Sequence, residues 1–316
     1  MNTHLSGRTT SIKKRGAWRK DLIRNYELYL FVLPGIIVIV LFNYLPMYGV
    51  QIAFKNFRPI LGIWNSDWVG WKWFARFFSS AQFGTLISNT LMLNFYLLIV
   101  TFPLPIGMAL LFNQFRNKRI RKTLQTVSYA PHFISTVVLV GMLTLFLSPT
   151  RGLYGNIVRL FGGMPGNPMG EAGLFQSIYV WSDVWQHTGW DSIIYLAALS
   201  SVDPQLYDAA TVDGASRIQK ILHVEIPALT ATASILLIMR VGNLMSIGFE
   251  KVYLMQNSLN LSTSEVISTY VYKVGLTKTA QYSYSAAVGL FNTLINLILL
   301  TACNYTTRRI SGNSLW

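Results

Sequence analysis

Apolar residues run along this chain in long continuous stretches rather than alternating with polar ones. A bilayer core about 30 Å thick needs roughly 20 apolar residues in a helix. Six stretches meet that length: 28–50, 84–112, 128–147, 174–199, 228–249 and 285–305. Only helices or closed barrels satisfy the backbone inside lipid, and barrel strands would alternate. The pattern therefore predicts an all-α integral membrane protein with six transmembrane helices. Pro103 and Pro105 predict a kink in the second. The first run is too long for the core of a signal peptide and continues through Asn43, Tyr44, Leu45 and Pro46, so it is read as a retained span.

Charge orients these spans. Arg8, Lys13, Lys14, Arg15, Arg19, Lys20 and Arg24 precede the first span, and Arg116, Lys118, Arg119, Arg121 and Lys122 join the second to the third. Placing both segments inside gives 16 basic residues to the inner segments and 9 to the outer ones. That bias predicts a cell (inner) membrane protein with both termini cytoplasmic. The organisation read from this is a basic tail (1–27), a first helix with an external loop (28–83), a core of five further transmembrane helices (84–305) and a cytoplasmic C-terminus (306–316). Tyr44, Tyr48, Trp64, Trp68, Trp71 and Trp73 cluster at the outer boundary, as an interfacial aromatic belt does.

Composition agrees. Charged residues make up only 12% of the 316 and apolar ones 52%. The net charge of +14 is spread over inter-span segments, not gathered on one helix face or aromatic groove, so no nucleic-acid partner is implied. Cys303, the single cysteine, cannot form an intrachain disulfide and lies within an apolar run.

The connection between the fourth and fifth spans reads DPQLYDAATVDGASRIQKILHVEIP over 203–227. Asp203 suits an N-cap and Pro204 a first helical turn, so a short helix is expected over 205–212. Leu206, Ala209, Ala210 and Asp213 fall on one small, largely apolar face. Asp213-Gly214 then turns the chain, since glycine tolerates positive φ. A second amphipathic stretch is expected over 216–224, ending before Pro227. Such a segment can be a rigid peg docking into a cytoplasmic partner, or an amphipathic loop lying on lipid headgroups.

This loop resembles the EAA motif of binding-protein-dependent, MetI-like ABC importer permeases, roughly E-A-A-x-x-x-G-x(9)-I-x-L-P. Asp208, Ala209 and Ala210 stand for E-A-A, Gly214 for the glycine, and Ile226-Pro227 for the close. Asp replaces the usual Glu, and Glu225 precedes Ile226-Pro227. The stretch 26–57, the runs GFEKVYLMQN and SEVISTYVYKVGL, and the ending Ser314-Leu315-Trp316 are similar to the LplB-like carbohydrate branch of that family. The resemblance implies import of oligosaccharides and three kinds of partner: a second homologous permease, a cytoplasmic ATPase dimer and an extracytoplasmic solute-binding protein. It implies that Tyr207, Asp208, Ala209, Ala210, Asp213, Gly214 and Pro227 form the ATPase-coupling loop. No Gly-Lys dipeptide occurs, so the chain has no P-loop. It is expected to be a non-catalytic subunit binding no cofactor, with ATP and Mg on the partner ATPase.

Ionisable residues within spans are costly and functional by default. The fourth span holds Asp183, His187 and Asp191, and the fifth holds Arg240. Asp183, His187 and Trp190 share a helix face, as do Arg240 and Asn243. By spacing from the loop, Asp183, Gln186, His187, Trp190, Arg240 and Asn243 resemble sugar-contacting positions of the maltose transporter permease. They are the candidate substrate path, and Arg240 could grip a uronate carboxylate with both arms. The plain structural alternative is an Asp183–Arg240 ion pair that neutralises both groups. No metal-ligand spacing is present. The rival reading is an ion-coupled secondary transporter of small polar solutes, which would need no ATPase; no internal repeat of the kind such transporters carry is visible. A membrane enzyme would need a catalytic constellation that the sequence does not offer, and a passive channel leaves the docking-type loop unexplained.

Overall fold

The computed structural model describes residues 23–246, 248–278, 280–312 and 314–315. Most of the basic tail expected over 1–27, up to residue 22, lies outside the described residues, as does Trp316 of the Ser-Leu-Trp ending.

The chain divides into two units, Met1–Gln51 and Ile52–Trp316. The first contains α1 (Tyr26–Ile39), which continues through a π-helical stretch, Val40–Tyr44, into one further turn, Leu45–Met47. Pro34 lies inside α1 and Pro46 at the start of that last turn. The π stretch loosens the hydrogen-bond ladder just before Pro46, which has no N–H to contribute to it.

The second unit opens with a short antiparallel ladder pairing Lys55 with Trp68 and Asn56 with Asp67. This is the only sheet among the described residues, and it belongs to the external loop. Helix α2 (Lys72–Phe78) follows. Trp64, Trp68 and Trp71 of this loop are exposed, whereas the Trp73 indole donates a hydrogen bond to the Lys55 carbonyl at 3.0 Å.

The second span is α3 (Phe83–Thr101) and α4 (Pro103–Gln114), interrupted at Phe102 where Pro103 begins a new first turn. The interruption falls where the prolines were expected to act, and Phe83–Gln114 still forms one run. Next come α5 (Lys118–Tyr129), a 3₁₀ turn Ala130–Phe133, and α6 (Thr136–Phe146), which bends from the preceding helix by 97°. A single straight span over 128–147 was expected, so this is a correction. Pro131 disrupts the ladder, and Ser135 caps a fresh helix by accepting the Val138 N–H. The basic connection expected between spans two and three is itself the amphipathic helix α5.

The outer loop holds α7 (Leu153–Leu160), and α8 (Ala172–Ser200) then runs for 29 residues. The loop helix α9 (Pro204–Val212) is followed by α10 (Arg217–Lys220), a π stretch Ile221–Glu225 and α11 (Ile226–Gly242). These last three form one continuous run, Arg217–Gly242. The fifth span thus begins and ends earlier than the expected 228–249. The π stretch admits Pro227 without a break, so the second amphipathic stretch of the loop is the root of the span rather than a separate element. At the far end α11 ends at Gly242, and the chain returns through α12 (Phe249–Met255), α13 (Leu261–Ser264), α14 (Ile267–Tyr272) and a π stretch Lys273–Lys278 to α15 (Tyr282–Ser311).

Four helical runs among the described residues are long and apolar enough to cross a bilayer, and the bent α5–α6 pair makes a fifth. Helix α8 has the length for a sixth, about 43 Å at helical rise, but carries Asp183, His187 and Asp191. Its apolar faces pack into two clusters. One joins Phe175, Tyr179 and Val180 to Leu93, Val252 and Val266. The other joins Tyr195 and Leu199 to Ala109 and Leu229. Helix α8 is therefore the spine against which α3, α4 and α11 are placed, and its polar residues lie between the two clusters. Gly189 lets α5 approach closely, since a Cβ there would meet the Ser128 carbonyl oxygen at 2.1 Å.

Candidate functional site

Between the two clusters, α3, α8 and α11 enclose a cleft of about 510 Å³. Asp183, His187, Arg240 and Asn243 all line it, with Asn94, Thr101 and Asp191. Four of the six candidate path residues are thus brought together from two elements. Trp190 instead lines a neighbouring cavity of about 540 Å³ beside Ile193, Ile194 and Tyr195. It stacks face to face on His132, with ring centroids 4.4 Å apart. Gln186 is buried and its amide donates to the Ile134 carbonyl at 2.8 Å. It fastens the bend between α5 and α6 and lines neither cavity.

The alternative of an Asp183–Arg240 ion pair is not what forms. Arg240 donates to Asp191 at 2.6 Å, while its other terminal nitrogen donates to the Thr101 hydroxyl at 2.7 Å and carbonyl at 3.2 Å. Asp183 accepts from Lys251 at 3.4 Å and contacts His187 Nδ1 at 3.3 Å. The packing offset decides this: Asp191 lies two turns further along α8 than Asp183 and meets Arg240 as α11 crosses. Lys251 is buried, donates also to the Tyr179 carbonyl at 3.1 Å and sits over the Tyr179 ring. Sequence reasoning missed it because it lies beyond the apolar run, in α12. Asn243 uses its amide on the Met239 carbonyl one turn back.

The geometry of the loop matches its sequence. The Asp203 side chain accepts the Gln205 N–H at 2.9 Å, so the cap and the Pro204 first turn are both present. Gly214 has φ +74°, the left-handed conformation that glycine adopts without strain. Ser216 and Gln219 then form a reciprocal capping box. No residue of α9 is buried. Leu206 and Val212 are 54% and 88% exposed, and Asp208, Ala209, Asp213 and Gly214 are exposed beside them. Tyr207 faces back, accepting a hydrogen bond from Asn113 of α4 at 3.5 Å. Burial first, and the Glu225 charge second, raise the Tyr207 phenol above its ordinary pKa, so it stays protonated.

Glu225 was noted in the sequence only as a departure from the motif. It is 1% exposed and accepts from Asn113 at 2.8 Å and from Gln114 at 3.0 and 3.2 Å. These amides form the end of α4, so one carboxylate ties the second span to the root of the fifth beneath α9. Among the described residues no group of His, Cys, Asp and Glu could hold a metal ion.

A helical bundle with a polar cleft within its long apolar helices, and a short exposed helix between two of them, is the architecture of a membrane permease. Residues 101–312 match the model of the family described as "Binding-protein-dependent transport system inner membrane component", and the chain belongs to that family. It is a non-catalytic, multi-pass inner-membrane permease subunit with a MetI-like transmembrane domain. It is 40% identical to Protein LplB of Bacillus subtilis (strain 168) over 95% of this chain and 94% of that one. It is 41% identical to the polygalacturonan/rhamnogalacturonan transport system permease protein YteP of the same organism, over 96% and 94% of the two chains. A chain of a solved bacterial ABC transporter, described as involved in import of the acidic polysaccharide alginate, matches with a TM-score of 0.86 at 39% identity. That match covers 93% of this chain and 99% of the other.

Proposed function

We propose that this chain forms half of the translocation path of an ATP-driven oligosaccharide importer whose substrates include uronate-bearing chains. It pairs with a second, homologous permease, receives substrate from an extracytoplasmic solute-binding protein, and is driven by a cytoplasmic ATPase dimer. The observation that carries this reading is the exposed helix α9, capped by Asp203 at its start, closed by the Gly214 turn at its end and buried at none of its residues. A short apolar helix kept in water needs a partner. A groove on an ATPase would cover Leu206, Asp208, Ala209, Ala210 and Val212, with Asp213 and Gly214 forming the turn beyond. Pro227, in the first turn of α11, sets where the loop joins the span. Closing of the ATPase dimer would move α9, and the Tyr207–Asn113–Glu225 contacts would carry that motion into α4 and α11.

The cleft supplies the chemistry for a sugar. Asn94, Asn243, Asp183 and His187 offer hydrogen-bonding groups to hydroxyls, Trp190 offers an aromatic face in the adjoining cavity, and Arg240 suits a carboxylate. The relatives that carry polygalacturonan or alginate in their descriptions favour the acidic class. With α9 meeting a cytoplasmic ATPase, both termini lie on the cytoplasmic side, as the basic bias requires.

The test is purification of the tagged chain after co-expression with its genomic neighbours. A second permease and an ATPase should co-purify, and hydrolysis should rise when binding protein loaded with oligosaccharide is added. A chain that purifies alone, without an ATPase, would overturn the reading.

A further inference from the structure

The two cavities beside α8 have three lining residues in common: Asp191, Leu236 and Arg240. The larger share of one lies toward Asp183 and Ser246, and the other continues past Trp190 to Tyr195. The Arg240–Asp191 pair therefore stands between two successive compartments along the same two helices.

Its two halves are held differently. One terminal nitrogen of Arg240 is anchored on Thr101, which is 5% exposed, through both the hydroxyl and the carbonyl. Among the described residues the other nitrogen holds only Asp191. The Arg240 and Asp191 side chains are 33% and 30% exposed, so a solute in the cleft can reach the bond between them. Lys251, the other cation of the site, has a side chain only 7% exposed and is engaged by Asp183 and the Tyr179 carbonyl. Arg240 is thus the cation whose partner can be exchanged.

We propose that the Arg240–Asp191 pair is a gate across the path, opened when a carboxylate of the passing oligosaccharide takes the place of Asp191 on Arg240. This makes Asp191 a residue that selects uronate-bearing chains, and it rests on the oligosaccharide-import reading above. The chemistry is a like-for-like exchange: a uronate presents to the guanidinium the same planar, charged acceptor that Asp191 presents. A neutral sugar offers only hydroxyls, which cannot displace a charge-assisted bond of this kind. Arg240 keeps its Thr101 anchor throughout. The displaced Asp191 stays in the cavity and competes for Arg240 again, so the hold on the substrate is transient and suited to passage rather than storage.

The experiment uses the whole transporter in proteoliposomes, with a uronic-acid tetrasaccharide and its carboxyl-reduced, neutral counterpart as probes. Wild type should prefer the uronate. Asp191→Asn, which replaces the ion pair with a weaker bond from the guanidinium to an uncharged amide oxygen, should lower the uronate-to-neutral uptake ratio by about tenfold, chiefly because the neutral chain gains passage. Asp191→Glu should keep the preference. An unchanged ratio in Asp191→Asn overturns the gate, as does a wild type that prefers the neutral chain. Failure of Asp191→Asn to assemble while Asp191→Glu assembles would mark the pair as a structural tie and also overturn it. A wild type that moves neither sugar would instead refute the import reading itself.

Discussion

Gly214 is the sharpest single point at which the loop can be perturbed. Its φ of +74° lies in the left-handed region, and a Cβ built there would meet nothing within 4 Å. A substitution therefore leaves the chain's own packing untouched and acts through backbone conformation alone. For an ordinary L-residue that conformation costs about 1–2 kcal/mol, with Asn largely exempt. One to two kcal/mol is a factor of about 5–30 in the population of the correct turn. Uptake should then fall in the order wild type, Gly214→Asn, Gly214→Ala, Gly214→Val. The Asn variant should lie close to wild type, and the Val variant about tenfold or more below it. Membrane insertion should be unchanged, because the residue is exposed. The assay is ATP-driven uptake in proteoliposomes, normalised to the amount of assembled complex, with hydrolysis measured in parallel. Equal uptake by the Val variant and wild type would refute the coupling role of the turn. Equal loss in the Asn and Val variants would refute the conformational reasoning and point to side-chain bulk at the ATPase surface.

Other positions give independent checks. Gly189→Ala places a methyl 2.1 Å from the Ser128 oxygen and should cost about 1–3 kcal/mol by overpacking. It should appear as a lowered melting temperature in detergent, whereas Gly141→Ala, with nothing within 4 Å, should not lower it. Asp203→Ala removes the cap on Gln205 and should cost about 1 kcal/mol of α9 stability, seen as a several-fold fall in uptake with assembly intact. Removing the Asn113 and Gln114 amides together leaves the buried Glu225 carboxylate without the donors described above. That double variant should be destabilised by about 3 kcal/mol, and adding Glu225→Ala to it should recover part of the loss.

The sequence carried the local signals well. Asp203-Pro204 as a helix start and Gly214 as a turn depend only on the chemistry of those residues, and both are present. The extent of the fourth span was also legible, because nothing within 174–199 breaks a helix. The 97° bend after Phe133 was hidden because Ala130, Phe133 and Ile134 keep the run apolar across it. Its markers, Pro131 and the cap at Ser135, are local and easily outweighed by a count of apolar residues. The earlier start of the fifth span depends on a π stretch, which leaves no hydropathy signature. The pairing in the cleft was beyond reach for a different reason. Asp183 and Asp191 lie on one helix, and which of them meets Arg240 is set by the way α8 and α11 cross. Lys251 joins Asp183 across a separation of 68 residues, a contact that no periodicity announces.

The central claim is that solute movement through this chain is powered in trans by an ATPase acting on the 203–227 loop. Its most direct test is uptake of a radiolabelled oligosaccharide into proteoliposomes under two conditions. In the first, the chain is present with its second permease, ATPase and binding protein, and ATP is supplied. In the second, the permeases alone are present with an imposed proton or sodium gradient. Accumulation that requires ATP and the ATPase, and none under the ion gradient, is the predicted result; accumulation by the permeases alone under the gradient would contradict it.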